Sequence, residues 1–202
     1  MDLWRNGQSL LNVEVPLSIG SNKVVPSHWN NAPPPYLIIG GCVFTALSVP
    51  YLQELDAWGN FVSESISYLL NKIHEPYRGC GQDGNGDDNN DDGNIDDDDG
   101  DQVVIMINVL AHPNNLGYDN LGDLHLLKCN NEQVRSLKHL QKLISKARQQ
   151  EQEREFIKLE FASTSGSGGT GTLVVLETKS IEETTNEVCE EHSIQNSYYF
   201  PP

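Results

Sequence analysis

The chain has 202 residues, with 29 acidic against 13 basic side chains and a net charge of −16. That balance argues against nucleic acid as a partner, because phosphate binding needs a basic face. No apolar run reaches the roughly 20 residues a membrane helix requires, and residues 1–20 lack the basic start and apolar centre of a signal peptide.

Hydrophobic content is 37%, below the roughly 45–50% of globular chains, but part of the shortfall is local. Ten of the acids fall in residues 82–101, which hold no Lys or Arg; the remainder carries 19 acids against 13 bases, a net −6. Outside that run the chain is an ordinary, mildly acidic protein. Its four cysteines, Cys42, Cys80, Cys129 and Cys189, form no C-x-x-C pair. They read as reduced thiols of an intracellular protein rather than as a zinc or dithiol site.

In chain order, "LWRNGQSLLNVEVPL" (3–17) reads as two short strands joined by Asn6-Gly7, a strong two-residue hairpin signal. Leu11, Val13, Val15 and Leu17 alternate as a strand with one buried face. Two strands are not a stable unit alone, so residues 1–18 are expected to close a domain whose beginning is missing. Residues 19–35, with Pro33-Pro34-Pro35, read as a linker. A domain is expected over 36–195. It opens with a β-rich run, Tyr36 to Leu47, interrupted by Gly40-Gly41. A glycine pair within a strand suggests a bulge or a close backbone approach.

Helical spacing of Phe61, Ile66, Leu69, Leu70 and Ile73 predicts a helix over 61–73. The near-continuous apolar run "QVVIMINVL" (102–110) predicts a strand buried on both faces. "DLHLLKC" (123–129) predicts a strand, and Asn130-Asn131 a turn. A helix follows over 136–150, with Leu137, Leu140, Leu143 and Ile144 on one stripe and Ser136 as N-cap. Strands are expected at 156–162 and 172–177, joined by the flexible "SGSGGTG". A last helix spans 180–192, with Ser180 and Glu183 spaced as a capping box. Residues 193–202 read as irregular, with 196–202 as a tail. The sum is an α+β fold: a small β-sheet or partial barrel with capping helices.

The acidic segment itself nearly spells a calcium loop at Asp88, Asn90, Asp92, Gly93, Ile95 and Asp99. An EF-hand, however, grips its loop between two helices and closes it with a bidentate Glu. Here the final acid is the shorter Asp99, and a buried strand follows. Residues 80–102 therefore read as a disordered, self-repelling insertion. Inserting it is cheap, since each doubling of a loop costs only about 0.6 kcal/mol.

Four stretches in this order resemble the C-terminal region of plant- and alga-type Deg (HtrA-like) serine proteases, and above all their last PDZ-like domain. "PPYLIIGGCVFTALSVPYLQE" is similar to its opening strand region. "NVLAHPNNLGYDNLGDLHLLKCNNEQVRSLKHLQKLI" is similar to its central turns, strand and helix. "LVVLETKSIEETTNEVCEEHSI" is similar to its closing strand and helix, and the first hairpin to the end of a preceding PDZ domain. Ala46 stands where the family usually has Pro, and Asn131 where Gly is common.

The resemblance implies proteolysis as the setting, but this chain lacks the family's catalytic turn. "TSGSGGTG" (164–171) has Ser167-Gly168-Gly169, yet Gly166 replaces the Asn and the stretch lies between predicted strands. No Ser-His-Asp triad is expected, and the chain alone should be inactive. The six histidines form no zincin-like pair, and no metal or other cofactor is expected. What remains is recognition, in which a PDZ domain takes an extended peptide as an added strand. By analogy the candidate peptide-binding residues are Gly40, Gly41, Cys42, Val43 and Phe44, facing His139, Leu140 and Leu143. Expected partners are other Deg subunits, in a homo-oligomer, and peptide segments. The alternatives are a freestanding PDZ-like adaptor, a calcium-binding protein and a protease active in itself. Related proteases occur in plastids, mitochondria, peroxisomes and the nucleus, and this sequence does not choose among those compartments.

Overall fold

A computed structural model describes residues 3–5, 8–10, 24–29, 31–58, 64–72, 101–149, 155–163 and 171–201. The Asn6-Gly7 turn, the alternation over 11–17, the near-calcium motif and the glycine-rich turn at 164–170 lie outside the described residues, as does Cys80. Strands β1 (Leu3–Arg5) and β2 (Gln8–Leu10) pair antiparallel, with Leu3 opposite Leu10 and Arg5 opposite Gln8.

The main sheet begins with β3 (Tyr36–Ile39) and β4 (Cys42–Ala46). Two helices follow, α1 (Val49–Trp58) and α2 (Glu64–Lys72), and then β5 (Val104–Val109). A 3-10 turn at Pro113–Asn115 leads to β6 (Leu124–Cys129), β7 (Glu132–Gln133) and helix α3 (Leu137–Gln149). The chain finishes with β8 (Phe156–Phe161), β9 (Leu173–Glu177), helix α4 (Ile181–Glu191) and β10 (Tyr198–Tyr199). The strand order is β10-β3-β4-β5-β6-β8-β9, with β7 beside β6, and every pairing is antiparallel. This is the expected α+β class, an open eight-stranded sheet with helices packed on it.

The core is split by β5. Val104, Met106 and Val109 join Leu37, Ile39, Phe44, Leu126, Leu159 and the α3 stripe in one cluster. Val103 and Ile105 point the other way, into a cluster with Val25, Leu47, Leu52 of α1 and Leu69 of α2. The continuous apolar run therefore has the physical reason inferred for it: both of its faces are covered. The α3 stripe is equally as expected, with Leu137, Leu140, Leu143 and Ile144 all buried. Ser136 caps α3 by accepting the His139 backbone N–H at 3.0 Å. Asn130 and Asn131 take φ of 51° and 71° and turn β6 into β7, so Asn131 meets the left-handed requirement without Gly.

Several elements differ from the sequence reading. Gly40-Gly41 does not bulge one strand, although the close backbone approach also expected there is present, with the Leu110 N–H on the Gly41 carbonyl at 2.8 Å. The pair is the two-residue turn between β3 and β4, with φ of 56° and 87°. Positive φ at both central positions defines the type I′ hairpin turn, which glycine adopts without strain. The irregularity in register lies one step later, where Val43 faces Asn108 and Phe44 faces Met106. Helix α1 went unrecognised, although Ser48 precedes it and Pro50 sits in its first turn, where proline is tolerated. Ser180 makes no side-chain cap on α4: its backbone is helical (φ −89°, ψ −11°), so its hydroxyl turns back toward the Glu177 carbonyl. Within the segment read as a linker, Val25 is 1% exposed in the second cluster and Trp29 packs on the first. Within the segment read as irregular, residues 198–199 form β10.

Gly41 is one of the tightest points among the described residues. A Cβ there would lie 2.1 Å from Asn115 Nδ2, the amide that donates to the Leu110 carbonyl at 2.9 Å. Gly41→Ala is expected to cost about 2–4 kcal/mol, from left-handed strain plus the displaced hydrogen bond, measured by urea denaturation. Cys42, next in sequence, is wholly buried, and burial pushes its thiol up to about 12 from 9.0. The folded state thus keeps a proton that the unfolded chain releases. Cys42 costs no stability below pH 9 and removes stability as pH rises from there toward 12. Cys42→Ala is expected to flatten the loss of stability across that window, measured as the urea midpoint against pH.

Candidate peptide-binding edge

The structure brings the residues nominated from sequence together, but as core. Strand β4 lies between β3 and β5, with Cys42 opposite both Ile39 and Val109. A peptide adds to a sheet only where a strand has an unpaired edge, so β4 cannot accept one. Cys42 and Phe44 are 0% exposed, and Val43 is half-buried. Leu140 and Leu143 pack beneath the sheet in the same cluster. His139 closes the β7–α3 corner, its Nδ1 accepting the Arg135 N–H at 3.2 Å and its Nε2 lying 3.6 Å from Glu132. Gly40 and Gly41 shape the hairpin, and the Gly40 N–H donates inward to Thr185 Oγ1 at 2.8 Å. The neighbouring strand, β3, has the outer side that β4 lacks.

Strand β3 is the candidate edge. Its inner side pairs with β4; its outer side receives β10, with Leu37 opposite Tyr198 and Tyr36 opposite Tyr199. The Ile38 N–H donates to the Ser197 carbonyl at 2.7 Å. The Tyr36 hydroxyl donates to the Asn196 carbonyl at 3.0 Å, and the Tyr36 and Tyr199 rings stack with centroids 6.4 Å apart. Tyr198 and Phe200 are in ring contact at 5.5 Å, and Phe200 packs on the main core cluster. Beside this segment is an open groove of about 640 Å³, lined on α4 by Asn186, Cys189 and Glu190 and by the incoming chain from Ile194 to Phe200. Burial raises the Cys189 thiol above its ordinary value.

The end of α4 aims the chain at this edge. The Ser193 N–H bonds the Glu190 carbonyl and the Ile194 N–H reaches back to that of Cys189. With Ser193 at φ 56° this is a Schellman motif, usually built on Gly. Upstream, Asn114 Nδ2 donates to Thr184 Oγ1 at 2.8 Å and His112 Nε2 lies 3.1 Å from Glu187, fixing the loop after β5 to the same helix. Sequence reasoning missed Tyr36, Ile38 and the 196–200 segment. Its signal was the aromatic run Tyr198-Tyr199-Phe200, a composition that favours strands.

At the opposite edge, the Val175 carbonyl of β9 accepts the Tyr118 hydroxyl at 3.4 Å. Among the described residues no group of His, Cys, Asp and Glu is placed to hold a metal, and no helix is long and apolar enough to cross a membrane. Because Ser193 holds a conformation that costs a non-glycine residue about 1 kcal/mol, Ser193→Gly is expected to stabilise the chain by about that amount. Urea denaturation of the two proteins measures it.

Two comparisons bear on this arrangement. The PDZ domain family matches residues 25–198, from the segment that packs under α1 to the first residue of β10. The chain is also similar to the chloroplastic Protease Do-like 2 of Arabidopsis thaliana, at 28% identity over 123 residues. That match covers 60% of this chain but only 16% of the relative, so the chain spans a small part of that protein's length. The likeness to the PDZ region of Deg proteases read from the sequence motifs stands on both findings. An antiparallel sheet with an edge that takes an extended segment beside a helix, and a family match over most of the sequence, make this chain a member of the PDZ-domain family.

Proposed function

We propose that the chain is the non-catalytic PDZ module of a Deg-type serine endopeptidase, serving peptide recognition, subunit assembly and regulation. The observation that carries this reading is the β3 edge, where an extended segment sits antiparallel beside α4, paired through its backbone. Strand addition of this kind takes its affinity from main-chain hydrogen bonds and its specificity from the side chains that alternate into the surface. Similarity to a Protease Do-like protein supplies the proteolytic setting. The sequence holds no Gly-Asn-Ser-Gly-Gly turn, which supports the non-catalytic reading of this chain. Subunits of the same protease are the proposed assembly partners, and the mode is capture of an extended segment of one subunit by the edge of another.

A freestanding adaptor would use the same edge without a protease. An upstream reading frame encoding the His, Asp and Ser of a triad would separate the two. The recognition reading is tested by titrating extended peptides into isotope-labelled chain. Shifts are expected at the amides of Tyr36–Ile39 and of α4 residues 186–190, while casein stays uncleaved. Peptides that bind without moving the β3 amides, or none that bind, would refute it.

A further inference from the structure

We infer that the β3 edge selects an extended segment with an aromatic residue opposite Tyr36, and that residues 196–200 of this chain are its resident, displaceable occupant. This rests on the recognition reading above and goes beyond it by naming the ligand chemistry and the state of the site.

The contacts divide into two kinds. The bonds from Ile38 N–H to Ser197 and from the Tyr36 hydroxyl to Asn196 end on backbone carbonyls, which any sequence supplies. The stack of Tyr36 on Tyr199 is a side-chain contact, and it puts an aromatic ring at one defined ladder position. Ring pairs prefer such offset geometry and gain about 0.5–1.5 kcal/mol beyond the area they bury. A segment lacking the ring would keep the backbone bonds and lose the stack.

The occupant is seated lightly. Its ladder has two register pairs against four between β3 and β4. Tyr198 is 50% exposed, and the groove between the segment and α4 stays open. The segment leaves α4 through Ser193, in a backbone conformation that serine adopts at a cost. Without it, β3 would present an unpaired row of N–H and C=O groups, the template an incoming strand uses. The chain therefore covers its own binding edge with a strand short enough to be replaced.

The test uses a fluorescein-labelled peptide of residues 194–200 and a second peptide with serine in place of Tyr199. Both are titrated into the full chain and into its Tyr199→Pro variant, whose fold is checked by far-UV circular dichroism and by protection of the buried Cys42 thiol. Proline at this position removes an amide from the ladder and unseats the segment. The variant is expected to bind the aromatic peptide at least tenfold more tightly than the parent chain, and the serine peptide about tenfold more weakly than the aromatic one. Adding Tyr36→Ala should abolish the distinction between the peptides. Equal affinity of parent and variant would overturn self-occupancy, as would a concentration-dependent dimer whose Tyr36–Tyr199 contact runs between copies. Equal affinity for the two peptides would overturn aromatic selection while leaving peptide recognition intact. No binding of either peptide to the folded variant would defeat the recognition reading itself.

Discussion

Two consecutive residues with positive φ, Gly40 and Gly41, set the geometry on which the rest of the sheet depends. Three elements meet at this turn. Helix α4 takes the Gly40 N–H on Thr185 Oγ1, whose own hydroxyl hydrogen goes to the Ile181 carbonyl. The chain after β5 donates the Leu110 N–H to the Gly41 carbonyl, and Asn115 fixes that stretch through the Leu110 carbonyl. A side chain on Gly41 would occupy the space that Asn115 fills. Because the turn is this tight, β3 returns directly alongside β4, and β4 is enclosed on both sides.

The enclosure decides where recognition can occur. An added strand needs a row of unsatisfied main-chain groups, and β4 has spent its own on β3 and β5. The outer side of β3 is where this chain adds β10, and α4 rather than α3 lines the groove beside it. The hold on the present occupant is modest. Each hydrogen bond contributes about 0.5–1.5 kcal/mol net, and the ring stack adds about the same. Phe200, packed on the main core cluster, adds apolar contact to that hold. The helices on the other face are fastened by polar ties of their own: the Tyr51 hydroxyl of α1 donates to Asp123, and Tyr68 of α2 bonds His125 at 3.0 Å. Burial first, and then the Asp123 carboxylate, raises the Tyr51 phenol well above its ordinary value, so that fastening holds across physiological pH.

Much of the fold was legible because its signals are periodic. The α3 stripe, the apolar run of β5 and the alternation of β8 each report their own burial. The failures share a physical cause: geometry that depends on partners distant in sequence. Gly40-Gly41 fits either a bulge or a turn until the Asn115 contact is known. Ser180 has the right type and spacing for a cap, but it enters α4 directly from the turn after β9 and never takes the extended backbone a cap needs. Tyr198-Tyr199 is too short to show alternation, and its pairing partner is the distant Tyr36-Leu37. The candidate site shifted from β4 to β3 for the same reason, since sequence gives strand order along the chain and not order across the sheet.

Strand β5 and the residue before it contribute to both apolar clusters, Val104 and Met106 to one and Val103 and Ile105 to the other. Two cores that share a wall cannot melt separately. Loosening α1 and α2 would bare one face of the strand that the β6, β8 and β9 side depends on, so damage on either face is felt on both. The expected behaviour is a single cooperative transition in which the amides of β5 are the last to exchange with solvent. Loops that join the two halves can then lengthen or change composition with little effect on that cooperativity, because the coupling runs through one strand and not through the connections.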